Sequence, residues 1–409
     1  MKIVMAIEFH NEDLEYQDNL LAKMYTKRGY EVTIITSTIG SVFDYYADKD
    51  RGAQSKAVYQ TPNAKVIRLP FKINLLNRFK MFPDIRPILD EEQPDLIFFH
   101  DPMPNIAQAA AWVKTHPRSR LIMDYHADYS NSAKNWISKH VLHGIMRKYF
   151  LDRALPQVHQ ILSVWPAGFH LLHEVYGIPY EQMGLMPLGA DLERAKAVRE
   201  RGEGAALRKE LGIGPDDLVV FTGGKLDKPK KTEELLKAVR ELDDPRIHVL
   251  VIGKPETGHE DYLDLLKQIA AGSNRVHFRG WLDRDGVYRH MDAADIAIFP
   301  ASQSVLWTQV IGSGLPLVVA EHSELERGRQ EMGFLNRHDN AVILDDARPF
   351  APQIRDILAR LVADREQLQR MKDGARRTAD EILDYEKLVD LSLKGVPAFE
   401  EQRQALVAA

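Results

Sequence analysis

Apolar residues fall into short, nearly uninterrupted runs, and these runs are separated by segments long enough for an amphipathic helix. In the first half of the chain the runs are "KIVMAIEF", "YEVTIIT", "DLIFFH", "RLIMDYH" and "QILSVW". A run that is apolar at successive positions is typical of a parallel strand buried on both faces, with helices covering the sheet. The pattern therefore predicts a doubly wound α/β domain over residues 1–190.

The alternation stops near residue 190 and starts again near residue 215. Residues 191–214, "DLERAKAVRERGEGAALRKELGIG", are charged and contain no strand-like run, which predicts a linker. The later runs are "LVVFTG", "IHVLVIG", "RVHFRG", "DIAIFP", "LPLVVA" and "AVILD". They predict a second doubly wound domain over 215–384, and two domains fit a length of 409 residues. Ligands of such sheets bind beyond the carboxyl ends of the strands, so we expect the domains to face each other across a deep cleft.

Composition narrows the class of protein. The chain has no cysteine, which excludes disulfides and thiolate metal sites. Its net charge of -5 argues against general nucleic-acid binding. No run approaches the ~20 apolar residues of a membrane span, and no signal-like segment opens the chain. These features favour a cytoplasmic protein.

The stretch "GGKLDKPKK", residues 223–231, places four lysines between a strand and a helix that starts near Thr232. Gly223 and Gly224 allow a ligand to approach the backbone, and the free N–H groups of a helix start suit phosphate oxygens. Ammonium groups strengthen such a site. The alternative is that the lysines only solvate a surface turn.

The stretch "GGKLDKPKKTEELLKAV" resembles the segment that opens the second domain of family 4 glycosyltransferases, which have the GT-B fold. Further motifs resemble the family in the same order along the chain: "PDLIFFHD", "RLIMDYHADY", "MPLGAD", "VHFRGWL", "DAADIAIFPASQS" and "GSGLPLVVAE". The resemblance implies two Rossmann-like domains, the first on the acceptor side and the second binding a nucleotide diphosphate sugar. It also implies retaining sugar transfer in polysaccharide, glycolipid or glycoside biosynthesis, with Lys225 and Lys231 binding the donor diphosphate.

The donor site departs from the family pattern at one motif. The family carries two glutamates separated by seven residues, but here Gln309 stands at the second position and no acidic residue stands at the first. Ser302 and Ser304 are expected to meet the phosphates, or else only to cap a helix. Gln309, Gly253 and Trp281 are predicted to bind the nucleoside. A uridine diphosphate sugar is one candidate donor, and no cofactor is expected.

In the first domain, His126 resembles the family histidine that lies beside the reacting sugar. His100 and Asp101 end the neighbouring predicted strand, so we expect all three residues in the catalytic group. No Asp-x-Asp motif in a suitable apolar context occurs, and no essential metal is expected.

Many relatives have a Gly-Gly loop after the first strand, and this chain has "EFHNEDLEYQDN" instead. His10, Tyr16 and Gln17 are expected to fill that space on the acceptor side. The same stretch is also expected to start a helix, with Glu12 and Asp13 in its first turn.

Three further expectations concern partners and alternatives. In GT-B chains the carboxy terminus crosses back, so residues 385–409 are predicted to pack on the first domain. "KINLLNRFKMF" and "KNWISKHVLHGIMRKYF" mix basic and apolar residues, which fits either a peripheral membrane contact or packing on the domain's own sheet. The alternatives to a transferase are a catalytically silent GT-B binding subunit and a GT-B sugar-nucleotide epimerase.

Overall fold

The structure, a computed structural model, describes residues 1–12, 16–39, 57–129, 131–255, 258–301, 304–320 and 332–408. The chain forms two compact units. The first comprises Met1–Leu188 together with Tyr385–Ala409, and the second comprises Gly189–Asp384.

The first unit is built on an eight-stranded sheet with the order β10-β9-β8-β7-β1-β2-β4-β3. Its strands are parallel except β3, which pairs antiparallel with β4, and a separate hairpin is formed by β5 and β6. The strand bounds are β1 (Lys2–Ala6), β2 (Glu31–Ser37), β3 (Ala57–Gln60), β4 (Lys65–Leu69), β5 (Ile73–Leu75), β6 (Phe79–Met81), β7 (Leu96–His100), β8 (Arg120–Tyr125), β9 (Val158–Ser163) and β10 (Met183–Leu185).

Helices connect most of these strands. Strand residues such as Val4, Ile97 and Phe98 belong to two buried apolar clusters that pack on the sheet. The helices are α1 (Gln17–Lys27), α2 (Arg86–Glu92), α3 (Ile106–Val113), a π-helical stretch (Ile137–Arg147) that continues as α4 (Lys148–Ala154), and α5 (Pro166–Leu171), which continues as a π turn (Leu172–Tyr176). Short 3-10 turns occupy Leu155–Gln157 and Tyr180–Gln182.

The second unit has a six-stranded, fully parallel sheet with the order β13-β12-β11-β14-β15-β16. Its strands are β11 (Leu218–Lys225), β12 (Ile247–Lys254), β13 (Val276–Gly280), β14 (Ile296–Phe299), β15 (Leu317–Ala320) and β16 (Ala341–Leu344). Its helices are α6 (Leu192–Glu200), α7 (Glu203–Glu210), α8 (Thr232–Leu242), α9 (Glu260–Ile269), α10 (Arg284–Ala293), α11 (Leu306–Gly312), α12 (Phe350–Ala363) and α13 (Arg365–Thr378). Short 3-10 turns lie at Lys228–Lys230 and Met332–Phe334, and a π turn lies at Ala379–Leu383.

The predicted fold class, two Rossmann-like α/β domains with parallel sheets, is confirmed. The structure differs from the linker expected over 191–214, because α6 and α7 fill most of that segment and belong to the second unit. Val198 and Leu207 are fully buried there, and Arg208 forms an ion pair with Asp295 at 2.6 Å. The segment is charged because only one face of each helix is buried.

The carboxy-terminal helices α14 (Tyr385–Leu393) and α15 (Pro397–Ala408) belong to the first unit. The Tyr25 hydroxyl on α1 lies 2.6 Å from Ser392 Oγ, a buried contact between α1 and α14. Arg28 donates hydrogen bonds to the Glu386 carboxylate. Leu393 is completely buried in the cluster that covers one face of the first sheet. Among the described residues, no helix is long and apolar enough to cross a membrane.

Leu393→Ala should lower the free energy of unfolding of the first unit by about 2–5 kcal/mol, because it removes a buried side chain and leaves a cavity. Chemical unfolding followed by circular dichroism measures the change. Lys394→Ala is the matched control, since Lys394 is exposed and its substitution should cost no more than about 0.5 kcal/mol. Equal effects of the two substitutions would show that α14 adds nothing to the first unit.

Candidate functional site

In the first unit, candidate side chains gather at the carboxyl ends of three neighbouring strands, β1, β7 and β8. His100 is the last residue of β7, and it is in register with Asp124 on β8. His126 follows the end of β8. Because parallel strands end on the same edge, residues distant in sequence meet there.

The carboxylate of Asp124 holds two histidines together. Asp124 is completely buried, and His100 Nδ1 lies 2.9 Å from its Oδ1. Its Oδ2 accepts a hydrogen bond from His126 Nε2 at 2.9 Å. The two imidazole rings are 4.0 Å apart between centroids and tilted by 42°. Both rings remain partly exposed, so this edge presents them to solvent while the carboxylate stays inside.

The electrostatics of this trio favour ionised groups. Burial disfavours a charged imidazole, but the Asp124 carboxylate outweighs it and raises the pKa of His100 to about 9. Burial also opposes ionisation of Asp124, yet the charges of His100 and His126 hold the pKa of that carboxyl well below its usual range. The pair His100 and Asp124 is therefore an imidazolium–carboxylate pair at neutral pH.

Asp101, predicted in the catalytic group, has its side chain turned to the backbone. Its φ of 59° lies in the left-handed region, which an aspartate tolerates better than most residues. Its Oδ1 accepts a hydrogen bond from the backbone N–H of His126 at 3.0 Å, and its own N–H donates to the Asp124 carbonyl. Asp101 thus fixes the backbone that carries His126.

The same trio satisfies the spacing of a cation site. One ligand atom each from His100, Asp124 and His126 lies within 4.8 Å of the others. Imidazole nitrogens with a carboxylate suit zinc or a similar divalent ion. In the geometry seen here, however, a nitrogen of each ring lies 2.9 Å from the carboxylate. Metal independence therefore stays a prediction.

The residues expected on the acceptor side lie at the start of α1. His10 is buried, and its Nδ1 is 2.5 Å from the Asp18 carboxylate. Gln17 is only 4% exposed, and neither polar atom of its side chain has a hydrogen-bond partner among the described residues. Tyr16 precedes the helix and is partly exposed. Gln17 therefore offers an unused donor and an unused acceptor.

The start of α1 differs from expectation, because the helix begins at Gln17 and its first-turn acid is Asp18. Glu12 lies before the helix, where its carboxylate accepts hydrogen bonds from Arg68 Nη2 at 2.9 and 3.0 Å. This ion pair joins Glu12, in the loop before α1, to Arg68 on β4, so Glu12 is not part of the first turn. Asp13 lies outside the described residues.

The sequence interpretation missed Asp124 and the ion pair of Lys80 with Glu8, whose Nζ and Oε1 are 2.5 Å apart. Alternate residues of a strand lie on the same face, so the sequence itself places Asp124 on the face of His126. Lys80 lies on the hairpin strand β6, which carries no long apolar run, and Glu8 follows β1. No local pattern brings these two together.

In the second unit, the glycines at the ends of β11 and β12 allow the two backbones to approach closely. Gly224 and Gly253 are paired in register and have φ values of 105° and 108°. A Cβ on Gly253 would lie 1.8 Å from the Gly224 carbonyl oxygen, and one on Gly223 would lie 2.3 Å from Ile252 Cγ1. Packing therefore requires Gly223 and Gly253, and the φ of 105° favours glycine at position 224, where a Cβ would meet nothing closer than 3.6 Å.

The four lysines of the loop have different environments. Lys225 is exposed, with its Nζ 3.5 Å from the Asp227 carboxylate. Lys228 Nζ forms an exposed ion pair with Asp261 at 2.9 Å. Burial lowers the pKa of Lys230, with Asp227 opposing the shift and Lys225 adding to it. The loop is therefore not a uniform solvated turn.

Lys231, the residue before α8, has a φ of 49°, in the left-handed region. Its Nζ lies 4.7 Å from the centroid of the Phe350 ring, close enough for a cation–π contact. This contact holds the ammonium group beside the start of α8. A bound anion there could pair with the ammonium group.

Ser304 lies close to the glycine pair, since a Cβ on Gly224 would be 3.7 Å from Ser304 Oγ. That oxygen also accepts a 3.3 Å hydrogen bond from the backbone N–H of Leu306. Ser304 is not the N-cap of α11, because the N-cap residue is Val305 and it makes no side-chain cap hydrogen bond. The phosphate contact of Ser304 stays a prediction. Ser302 lies outside the described residues, and Gln309 is half-buried in the middle of α11.

Trp281 follows β13 and is 68% exposed, which is unusual for so large an apolar side chain. Lys254, the last residue of β12, places its Nζ 5.5 Å from the Trp281 ring centroid. Gly253 directly precedes Lys254. The structure thus brings Gly253 and Trp281 to one region, and an exposed ring beside a cation suits stacking against a base.

A glycine-bordered lysine loop at a helix start, on a doubly wound sheet, is typical of proteins that bind nucleotides or other phosphate-bearing ligands. Two family profiles match the chain: Glycosyltransferase Family 4 over residues 19–194 and Glycosyl transferases group 1 over residues 205–325. The chain belongs to the family 4 (group 1) glycosyltransferases, which have the GT-B fold, and the predicted family is confirmed.

Individual relatives are more distant. A D-inositol 3-phosphate glycosyltransferase of Nocardia farcinica is 29% identical over 221 residues, covering 51% of this chain and 45% of the relative. The chain thus spans about half the length of the curated relatives it matches. HepE of Anabaena, solved in complex with UDP, superposes over all of both chains with a TM-score of 0.66 and 15% identity. A UDP-N-acetylglucosamine 2-epimerase of Listeria monocytogenes superposes with a TM-score of 0.60 over 98% of this chain and 97% of that chain, at 13% identity. At these identities the structural likeness shows the fold alone.

The raised pKa of His100 makes the stability of the first unit depend on pH. A protonated His100 stabilises the folded state fully below its ordinary pKa of about 6.5, and this contribution is lost as pH rises through about 9. Between pH 6.5 and 9.5, the free energy of unfolding should fall by about 1–3 kcal/mol in the wild type. His100→Gln should remove that fall, and the exposed His140→Gln should keep it. Parallel pH profiles for the wild type and His100→Gln, measured by urea unfolding, would contradict an ionised His100.

Proposed function

We propose that the protein is a glycosyltransferase that moves a sugar from a nucleotide diphosphate sugar to a hydroxyl-bearing acceptor. The observation that supports this most directly is the lysine loop, in which Lys225 follows Gly224 at the end of β11 and Lys231 directly precedes α8. Backbone amides, a fixed ammonium and close backbone approach are what a diphosphate needs. HepE was solved with UDP, so uridine is the first base to test.

In this proposal, different residues of the second unit bind the diphosphate, the base and the ribose of the donor. Lys225, Lys231 and the backbone at Gly223 and Gly224 bind the diphosphate, with Ser304 as a further donor. The Trp281 ring stacks on the base beside Gly253. Gln309 takes the ribose hydroxyls, where a neutral amide can both donate and accept.

The first unit supplies the groups that act on sugars. His126 binds the donor sugar, and Asp124 with His100 holds the His126 ring in place. Asp101 positions the same residue through its backbone. Gln17, His10 and Tyr16 receive the acceptor, because the carboxamide of Gln17 is buried and unused. The transfer retains configuration and needs neither metal nor cofactor, and its product belongs to polysaccharide, glycolipid or glycoside biosynthesis.

One set of assays distinguishes a transferase from the two alternatives, a GT-B sugar-nucleotide epimerase and a catalytically silent binding subunit. A panel of nucleotide diphosphate sugars is incubated with the intact protein, with and without inositol phosphates and simple sugars as acceptors. Release of nucleoside diphosphate only with an acceptor supports transfer. Transfer activity that is unchanged in the presence of EDTA supports metal independence. An epimeric sugar nucleotide formed without acceptor indicates an epimerase. Nucleotide binding without any turnover indicates a silent binding subunit.

Lys225→Ala and Lys231→Ala should each weaken UDP binding by about 1.5–3 kcal/mol, the usual worth of a hydrogen bond to a charged group. Lys228→Ala should change it far less, because its ammonium is already paired with Asp261 at the exposed surface. Titration calorimetry with UDP measures all three. Equal and small losses at the three positions would show that the loop is only a solvated surface.

His126→Ala should reduce turnover by about a hundredfold or more, the range expected for a positioned catalytic side chain. The affinity for free UDP should stay within a factor of about two, because the residues proposed to bind the diphosphate lie in the second unit. Turnover and calorimetry on the same preparation test this division. Unchanged turnover with an intact circular dichroism spectrum would remove His126 from the reaction.

A further inference from the structure

The exposed apolar side chains of the first unit are concentrated on two segments. Half of the exposed large apolar side chains among the described residues lie in 73–76 and 136–149. We call the following six the apolar face: Leu75, Leu76, Trp136, Ile137, Ile145 and Tyr149, which are 48%, 85%, 69%, 68%, 63% and 51% exposed. Exposed apolar groups of this size mark an interaction surface when they occur together.

Direct contacts join the two segments. Arg147 Nη2 donates a 3.1 Å hydrogen bond to the carbonyl of Arg78 in the loop of the β5–β6 hairpin. The rings of Phe79 and Phe150 pack with centroids 6.0 Å apart. The hairpin therefore lies against the helix that runs from the π-helical stretch into α4.

The orientation of this helix is settled by its buried side chains. His143 is 1% exposed, and its Nδ1 lies 2.8 Å from the Tyr176 hydroxyl. Leu151 is completely buried. The alternative of an amphipathic helix with its large apolar residues packed inward therefore fails for Trp136 and Ile145, which point away from the sheet. At the hairpin tip, Leu76 has a φ of 51°, a costly conformation for a leucine that keeps its side chain in solvent.

The charge around the apolar face is opposite in sign to that of the whole chain. The chain carries 59 acidic and 54 basic residues, but 71–83 and 129–151 together contain seven Lys or Arg and no Asp or Glu. Lys72, Arg78 and Lys134 are exposed. Acids from outside the two segments pair with three of the seven: Glu8, Glu174 and Asp152 lie 2.5, 3.9 and 2.9 Å from Lys80, Lys139 and Lys148. The surface thus combines apolar and aromatic side chains with a local positive charge.

We propose that this face docks the protein on the surface of a bilayer that contains anionic phospholipid. Trp and Tyr rings favour the interface between headgroups and acyl chains, and basic residues are attracted to anionic headgroups. Leu76 and Ile137 would enter the boundary of the acyl chains, while Lys72 and Lys134 meet the headgroups. The docking is independent of the proposed transferase activity, because it needs neither donor nor acceptor.

Co-sedimentation of the full-length protein with vesicles tests the proposal. We expect binding to phosphatidylcholine vesicles with about 30 mol% phosphatidylglycerol, and much weaker binding to phosphatidylcholine alone or in high salt. The double variant Leu76→Ser/Trp136→Ser should lower the partition coefficient at least about tenfold. Lys72→Glu/Lys134→Glu should lower it at least about fivefold for anionic vesicles.

A matched control removes two exposed apolar residues elsewhere, Val58 on β3 and Leu265 on α9. Val58→Ser/Leu265→Ser should bind anionic vesicles as the wild type does. Wild-type protein that remains in the supernatant, binds neutral vesicles equally well, or binds no better than Leu76→Ser/Trp136→Ser would overturn the proposal. So would a dimer, seen by analytical ultracentrifugation, that the same double variant dissociates, because the face would then join two copies of the chain.

Discussion

Both sheets bury their two faces, and this burial forces charged and reactive side chains toward the strand ends. Val4 and Ile97 in the first sheet, like Val220 and Ile298 in the second, have almost no exposed surface. A charge placed among them would lose its hydration without compensation. Parallel strands end together at one edge, so the polar groups that the faces exclude collect there. The position of each candidate site follows from this constraint.

Charge compensation determines what that edge can hold. Asp124 is completely buried, and it remains ionised because two imidazoles share its carboxylate. Asp295 in the second unit is also a nearly buried carboxylate held by two cations, Arg208 and Lys372, each at 2.6 Å. Asp295 precedes β14 and so lies at the amino end of a strand, whereas Asp124 lies at a carboxyl end. Charge pairing of a buried carboxylate therefore does not by itself indicate a ligand site. The end of the strand at which the carboxylate lies is the more informative feature.

The same constraint explains how much could be predicted from the sequence. Strands such as β7 and β11 are buried on both faces, so their apolar runs revealed them, and the strand-end residues His100 and Lys225 followed. The strands β3 and β10 are edge strands with largely exposed or half-exposed residues, and they leave no such run. The cation–π contact of Lys231 with Phe350 joins residues far apart in the chain. It depends on tertiary packing, which no local pattern records.

The ribose contact proposed for Gln309 is neutral, and this limits how donor affinity can be distributed. A neutral hydrogen bond contributes only about 0.5–1.5 kcal/mol, against about 1.5–3 kcal/mol for one that involves a charge. If Gln309 binds the ribose, most of the affinity must come from the diphosphate and the base. The structure has groups suited to both: the exposed cation of Lys225, the cation of Lys231 beside the Phe350 ring, and an exposed Trp281 ring beside Lys254. A donor bound in this way would be recognised more by its nucleotide than by its ribose hydroxyls.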